Sequence, residues 1–248
     1  MKFLVQTINK KLVHDFTFVL ERSQEYWKWM NDPFTIRYQE GTNFDKIKNP
    51  DAYVPVGSVD FVSEYLKKFY PDSVDALKPL NVPEQLFPYA GRDVVNVDSA
   101  EDVIPYIGVG VFAKSMDVIK HPSNRFVTPG INVDCQQLIG NQISTFVDLV
   151  SEWRVFVFNN KMLDCRCYQG DVFTCPNKNT INEMISAYTE APKAYTLDVG
   201  VTSYGKTVVV ECHRFFSCGL YGFNQAHFYP AMLSQTWYEM KNIKNLVF

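Results

Sequence analysis

Apolar and polar positions divide the chain into short segments that alternate between two periods. The apolar run Lys2–Thr7 and a second run at 11–16 flank Ile8-Asn9-Lys10, which predicts a strand or a hairpin. Over 16–30, Phe16, Val19, Leu20, Trp27 and Met30 recur at helical spacing, and Asn31-Asp32-Pro33 stops that helix. Strands are predicted at 35–39 and 53–56. A helix is predicted at 59–70, with Phe61, Tyr65, Leu66 and Phe69 as its apolar stripe. Strands and helices alternating at this spacing mark a small α/β unit. Residues 72–101 carry prolines and few periodic signals, and read as a connecting region.

Strand signals dominate the second part. They predict strands at 108–114 and 144–150, with a polar loop at 120–130 between them. A hairpin at 152–158 and 162–169 turns on Asn159-Asn160, a helix covers 180–189, and a second hairpin at 194–202 and 207–215 turns on Tyr204-Gly205. A closing helix is predicted over 225–241, either interrupted at Pro230 or starting late there. No internal repeat is present.

Composition then narrows the class. The chain has 248 residues with 46% hydrophobic and 15% aromatic content, enough to fill a core, so disorder across most of it is ruled out. A net charge of -3 gives no electrostatic pointer to nucleic acid. No apolar run approaches the roughly 20 residues a bilayer requires, and Gln6, Asn9, Lys10 and Lys11 cut short the signal-like start, so a cytoplasmic chain is expected. Cys165-x-Cys167, Cys175, Cys212 and Cys218 include no paired CxxC, and reduced thiols are expected over a zinc site. The zinc alternative would need Cys165 and Cys167 beside Cys212-His213 on a neighbouring strand. Adjacent Cys212 and His213 point to opposite faces of a strand, which argues against a nucleophile pair there; Cys218 with His213 or His227 is the other Cys–His arrangement.

The second hairpin carries the sharpest chemical signal. A turn on Tyr204-Gly205 sets Asp198 opposite Glu211, and carboxylates so placed have Cβ atoms only ~5 Å apart. Between apolar neighbours such a pair repels unless a cation or a shared proton intervenes, so a divalent metal is one explanation and a solvated outer face the other. His213, two residues beyond Glu211, points to the same side and is a third ligand or a supporting partner. Lys114 ends its strand and is either solvated or a phosphate ligand. Arg154 opposes Cys165 if the first hairpin has a two-residue turn, and opposes Arg166 if the turn has three; the facing pair would clamp an anion. No P-loop, dinucleotide fingerprint or HExxH is present.

The order lysine strand, polar loop, Glu-x-Arg strand, hairpin, then Asp and Glu-x-His resembles the ATP-grasp superfamily over roughly 108–222. Within it the chain is most similar to a clade of small proteins, common in phages and bacteria, named for two arginines and a lysine. Phe112-Ala113-Lys114-Ser115, the run from Ser151 to Val157, Leu197-Asp198-Val199-Gly200-Val201, Val210-Glu211-Cys212-His213 and Gly219-Leu220-Tyr221-Gly222 carry the match. The resemblance implies an α/β (α+β) ATP-grasp fold: a small N-terminal α/β pre-ATP-grasp unit at 1–92, then antiparallel-sheet ATP-binding subdomains at 93–248. It implies that Lys114 neutralises an ATP phosphate. Val147, Asp148, Leu149 and Val150 would form the hinge that reads adenine, and Glu152 would hold the ribose. Arg154 and Arg166 would bind the γ-phosphate or the acyl-phosphate, and Asp198 and Glu211 would ligate Mg²⁺. His213 stands where the family usually has asparagine, and imidazole suits hard Mg²⁺ poorly.

The activity implied is ATP-dependent carboxylate–amine ligation through an acyl-phosphate, with an amino acid, a peptide or a protein terminus as substrate. A nucleotide-binding regulatory protein without ligation and an ATP-dependent small-molecule phosphotransferase are the alternatives.

Overall fold

The fold is described by a computed structural model covering residues 2–119, 124–130 and 134–243. The chain forms two compact units. The first gathers 1–76, 192–195 and 214–248; the second gathers 77–191 and 196–213.

In the first unit, β1 (Lys2–Thr7) lies between β2 (Thr35–Glu40) and β3 (Val54–Val56), parallel to both. Parallel pairing requires a crossover, and α1 (Asp15–Trp29) supplies it between β1 and β2. The hairpin alternative at the N-terminus is therefore not formed: Ile8 and Lys11 exchange backbone hydrogen bonds in a tight turn, and 15–16 already belong to α1. Helix α2 (Val59–Phe69) is capped by Ser58, whose hydroxyl accepts from the Phe61 amide. It buries the predicted Phe61, Tyr65 and Leu66. Helix α5 (Tyr229–Lys241) starts with a proline in its first turn, and its Trp237 ring meets Tyr65 edge-on.

The second unit holds two four-stranded sheets. One has the order β4 (Val94–Asn96), β7 (Asn141–Thr145), β5 (Val111–Ser115), β6 (Arg125–Val127), antiparallel throughout. The short helix α3 (Asp134–Gln137) precedes β7. The connecting region contributes β4 and three 3₁₀ segments, because its Val94 and Val95 complete the β7 edge. Within 120–130, Arg125–Val127 is strand rather than loop, paired with β5; residues 120–123 lie outside the described residues.

The other sheet has the order β11 (Thr207–Arg214), β10 (Ala194–Thr202), β8 (Leu149–Phe158), β9 (Lys161–Gly170), with α4 (Lys178–Ala187) between β9 and β10 in sequence. The expected single strand at 144–150 is two strands. β7 ends at Thr145 in one sheet and β8 begins at Leu149 in the other, so 146–148 must carry the chain between them. β10 is buried at all nine positions, although Thr196, Asp198 and Thr202 interrupt its apolar residues. A strand covered on both faces obliges its polar side chains to find partners inside.

Candidate functional site

Alternation along this second sheet collects the charged side chains on one face. β8 contributes Glu152 and Arg154, β9 Asp164, Arg166 and Tyr168, β10 Asp198, and β11 Glu211 and His213. The first hairpin resolves its register in an unforeseen way. Its turn has two residues, with Asn159 and Asn160 at φ 49° and 57° as a tight hairpin turn requires. A bulge between Phe156 and Val157 then shifts the pairing by one, so that Arg154 does face Arg166.

Asp198 is 1% exposed, and Arg154 closes on it with two hydrogen bonds, Nε to Oδ1 at 2.8 Å and Nη2 to Oδ2 at 2.7 Å. This fork geometry is the strongest form of an arginine–carboxylate pair. Lys114, reaching from β5, donates to Glu211 Oε2. The other Glu211 oxygen lies 2.9 Å from His213 Nε2. Burial pushes the Glu211 pKa upward. The imidazole and the ammonium together outweigh it and hold the carboxyl well below the ordinary range, so Glu211 is ionised. The repulsion expected between bare carboxylates is thus already offset by cations from two other strands.

One oxygen each from Asp198 and Glu211 and one nitrogen from His213 lie within 4.8 Å of one another. A cation ~2.1 Å from each donor would bridge that span after sub-ångström adjustment. The donor set is two hard oxygens and one imidazole nitrogen.

The remaining candidates take distinct places. Arg166 bonds Asp164 through Nε at 2.9 Å and Nη2 at 2.7 Å and is partly exposed. Glu152 accepts a 2.8 Å hydrogen bond from the Tyr168 hydroxyl. Val147 and Asp148 lie in the link between the sheets, while Leu149 and Val150 open β8. Leu149 packs onto β10 at Gly200, where an added Cβ would come within 2.7 Å of its methyl carbons. Cys165 and Cys167 stand on β9 and Cys212 on β11, at opposite edges of the sheet, and all six cysteines lie outside any disulfide. The cysteine–histidine zinc arrangement is therefore not assembled.

Two residues escaped the sequence reading. Tyr168 lies under the Arg154 guanidinium, 5.8 Å from its ring centre. Burial, then the charges of Asp198 and Glu152, push its hydroxyl far above the ordinary value, which keeps it a neutral donor. Its signal was its position, two residues after Arg166 on the same face. Arg92 donates to the carbonyls of Ala90, Val209 and Val210 at 3.1, 2.8 and 3.1 Å, fixing the β11 backbone just before Glu211. Nothing in its local sequence marks it.

The family model of the ATP-grasp domain, R2K clade family 2, matches residues 89–231, more than half of the chain and all of the charged face. The chain belongs to this ATP-grasp family. A search of curated proteins returns no match. Among solved structures, it is similar to the D-cycloserine synthetase DcsG, with TM-score 0.60 and 10% identity over 95% of this chain and 100% of that one. It is also similar to a RimK domain ATP-grasp protein from Sphaerobacter thermophilus, with TM-score 0.54 and 10% identity over 97% and 99%. A third is the D-alanine–D-alanine ligase of Bacillus anthracis, with TM-score 0.52 and 11% identity over 98% and 99%. At these identities the likeness establishes the ATP-grasp fold. Among the described residues no helix is long and apolar enough to cross a membrane.

Proposed function

We propose that this ATP-grasp protein is an ATP-dependent carboxylate–amine ligase acting on an amino acid, a peptide or a protein terminus. The observation that carries the reading is the convergence of Asp198, Glu211 and His213 with Arg154 and Lys114 bonded to the two carboxylates. A site that binds a nucleotide with its metal needs both signs of charge within reach of each other.

In this reading residues 93–248 form the nucleotide-binding domain and 1–92 precede it. Leu149 and Val150, with Val147 and Asp148 in the link, supply backbone groups to adenine, and Glu152, oriented by Tyr168, holds the ribose. Lys114 turns from Glu211 to a phosphate. Arg154 and Arg166 stabilise the charge that develops on the transferred phosphoryl group. Asp198, Glu211 and His213 hold the divalent cation, Mg²⁺ or a close substitute, which screens the phosphates.

The substrate carboxylate oxygen attacks the γ-phosphorus and ADP leaves. The amine nitrogen then attacks the acyl carbon, the carbon–oxygen bond to phosphate breaks, and the amine proton passes to solvent. Phosphate is the leaving group that a free carboxylate lacks.

ADP release is measured with panels of carboxylates and amines. Turnover is expected in the wild type and lost in Asp198→Asn with Glu211→Gln; turnover unchanged in that double variant overturns the proposal. The imidazole at the metal position favours a second reading, a nucleotide-binding protein without ligation. Calorimetry showing ATP bound with no turnover across the panel would select it. A stable phosphorylated product in place of an amide would instead select a phosphotransferase.

A further inference from the structure

We infer that His213 makes the cation site selective for a divalent transition-metal ion, with Mn²⁺ bound in preference to Mg²⁺. The inference rests on the proposed nucleotide site and goes beyond it in naming the metal class.

Mg²⁺ demands near-ideal octahedral geometry at ~2.0–2.1 Å, sheds water reluctantly and is served by oxygen. Imidazole serves the transition metals, and carboxylates accept Mn²⁺ as readily as Mg²⁺. A site with two carboxylates and one imidazole is therefore penalised for Mg²⁺ at one donor and for Mn²⁺ at none.

The structure leaves His213 little freedom to stand aside. Alternation along β11 puts it on the face of Glu211, and Nε2 lies 2.9 Å from Glu211 Oε1. The Asp198 carboxylate is within the same 4.8 Å. Arg92 pins the strand at the carbonyls of Val209 and Val210, so the imidazole cannot be withdrawn by a slip of the backbone there. In the tautomer with its proton on Nδ1, in place of the Nε2–H that faces Glu211 here, the ring presents the Nε2 lone pair to a cation that also touches both carboxylates.

The test measures Mg²⁺ and Mn²⁺ binding to the full chain in the presence of ADP, for the wild type and for His213→Asn, which replaces the nitrogen donor with an amide oxygen of similar reach. Comparing the two proteins cancels the preference of ADP itself. The wild-type preference for Mn²⁺ is expected to exceed that of His213→Asn by about tenfold or more. Pulsed electron paramagnetic resonance of bound Mn²⁺ adds a readout independent of any variant. It is expected to show coupling to a directly bound imidazole nitrogen in the wild type, lost in His213→Asn or, should that variant fail to fold, in His213→Gln.

Equal preferences in the two proteins, or Mn²⁺ bound with ADP but without nitrogen coupling, overturn the inference and leave the nucleotide reading standing. Absence of ADP binding with either metal overturns both.

Discussion

At the scale of single residues, the buried ion pairs set the largest energies. Arg154 and Asp198 are 9% and 1% exposed, so removing the guanidinium strands a charge away from water. Arg154→Ala is expected to lower stability by about 3–5 kcal/mol in chemical denaturation. Lys114→Ala should cost no more than about 1 kcal/mol, because that pair is partly exposed and Glu211 keeps His213 as a partner. The thiols give a second check. Burial, then the charge of Asp164, pushes the Cys165 pKa up to about 12, and burial raises Cys212 well above its ordinary value. Iodoacetamide at pH 8 is therefore expected to label exposed Cys175 in the native protein, and Cys165 and Cys212 only after unfolding, as mass spectrometry would read. The convergence of Asp198 and Glu211 was legible in the sequence, because alternation and a tight turn are local rules. Their cations were not, since Arg154 and Lys114 lie 44 and 97 residues from the carboxylates they bond; sheet order brings Arg154 there, and Lys114 reaches across from the other sheet.

At the scale of elements, turn chemistry was readable and register was not. Asn159-Asn160 announced a hairpin, and both residues adopt the positive φ that Asn tolerates. The bulge that brings Arg154 across from Arg166 leaves no mark in the sequence, because one extra residue in a strand of ordinary composition looks like the strand itself. The break between β7 and β8 was hidden for a similar reason: no Gly or Pro occurs in 144–150, and the chain leaves one sheet for the other there because of what each half pairs with. The far end of the β8–β9 hairpin yields a prediction of its own. Gly170 has φ +79°, and a Cβ there would approach the Val150 carbonyl oxygen to 2.2 Å. That oxygen already accepts the Asp171 amide at 3.0 Å. Since the obstacle is backbone, Gly170→Ala is expected to cost at least about 1–3 kcal/mol in thermal denaturation. It should also weaken ADP binding in calorimetry, because the strain falls on Val150, the start of β8 assigned to the base.

At the scale of the whole molecule, the chemistry that the sequence pattern hinted at gathers in one of the two units. The order of lysine strand, Glu-x-Arg strand and paired carboxylates was legible because it is a property of the chain. The gathering of 192–195 and 214–248 into the unit of the N-terminal sheet was not, since it depends on contacts between distant segments. All the charged candidates fall in the second unit, where three cations, Lys114, Arg154 and Arg166, are paired with three carboxylates, Glu211, Asp198 and Asp164. Each of these three ion pairs is neutral as it stands, so a divalent cation alone would leave the pairs with excess positive charge and a nucleotide alone with excess negative charge. Each ligand offsets the other, and the two are expected to bind together far more tightly than either does singly. Binding to the folded state then raises stability by mass action: at a free ADP concentration 100 times its Kd in saturating Mn²⁺, the gain is about 2.7 kcal/mol. For a chain of this length that corresponds to a rise in Tm of roughly 5–10 °C. Differential scanning calorimetry should show that rise with ADP and Mn²⁺ together and little change with either one alone. A full rise with Mn²⁺ alone would mean that the carboxylates are free to take a cation without releasing Lys114 and Arg154, and the charge argument would fall.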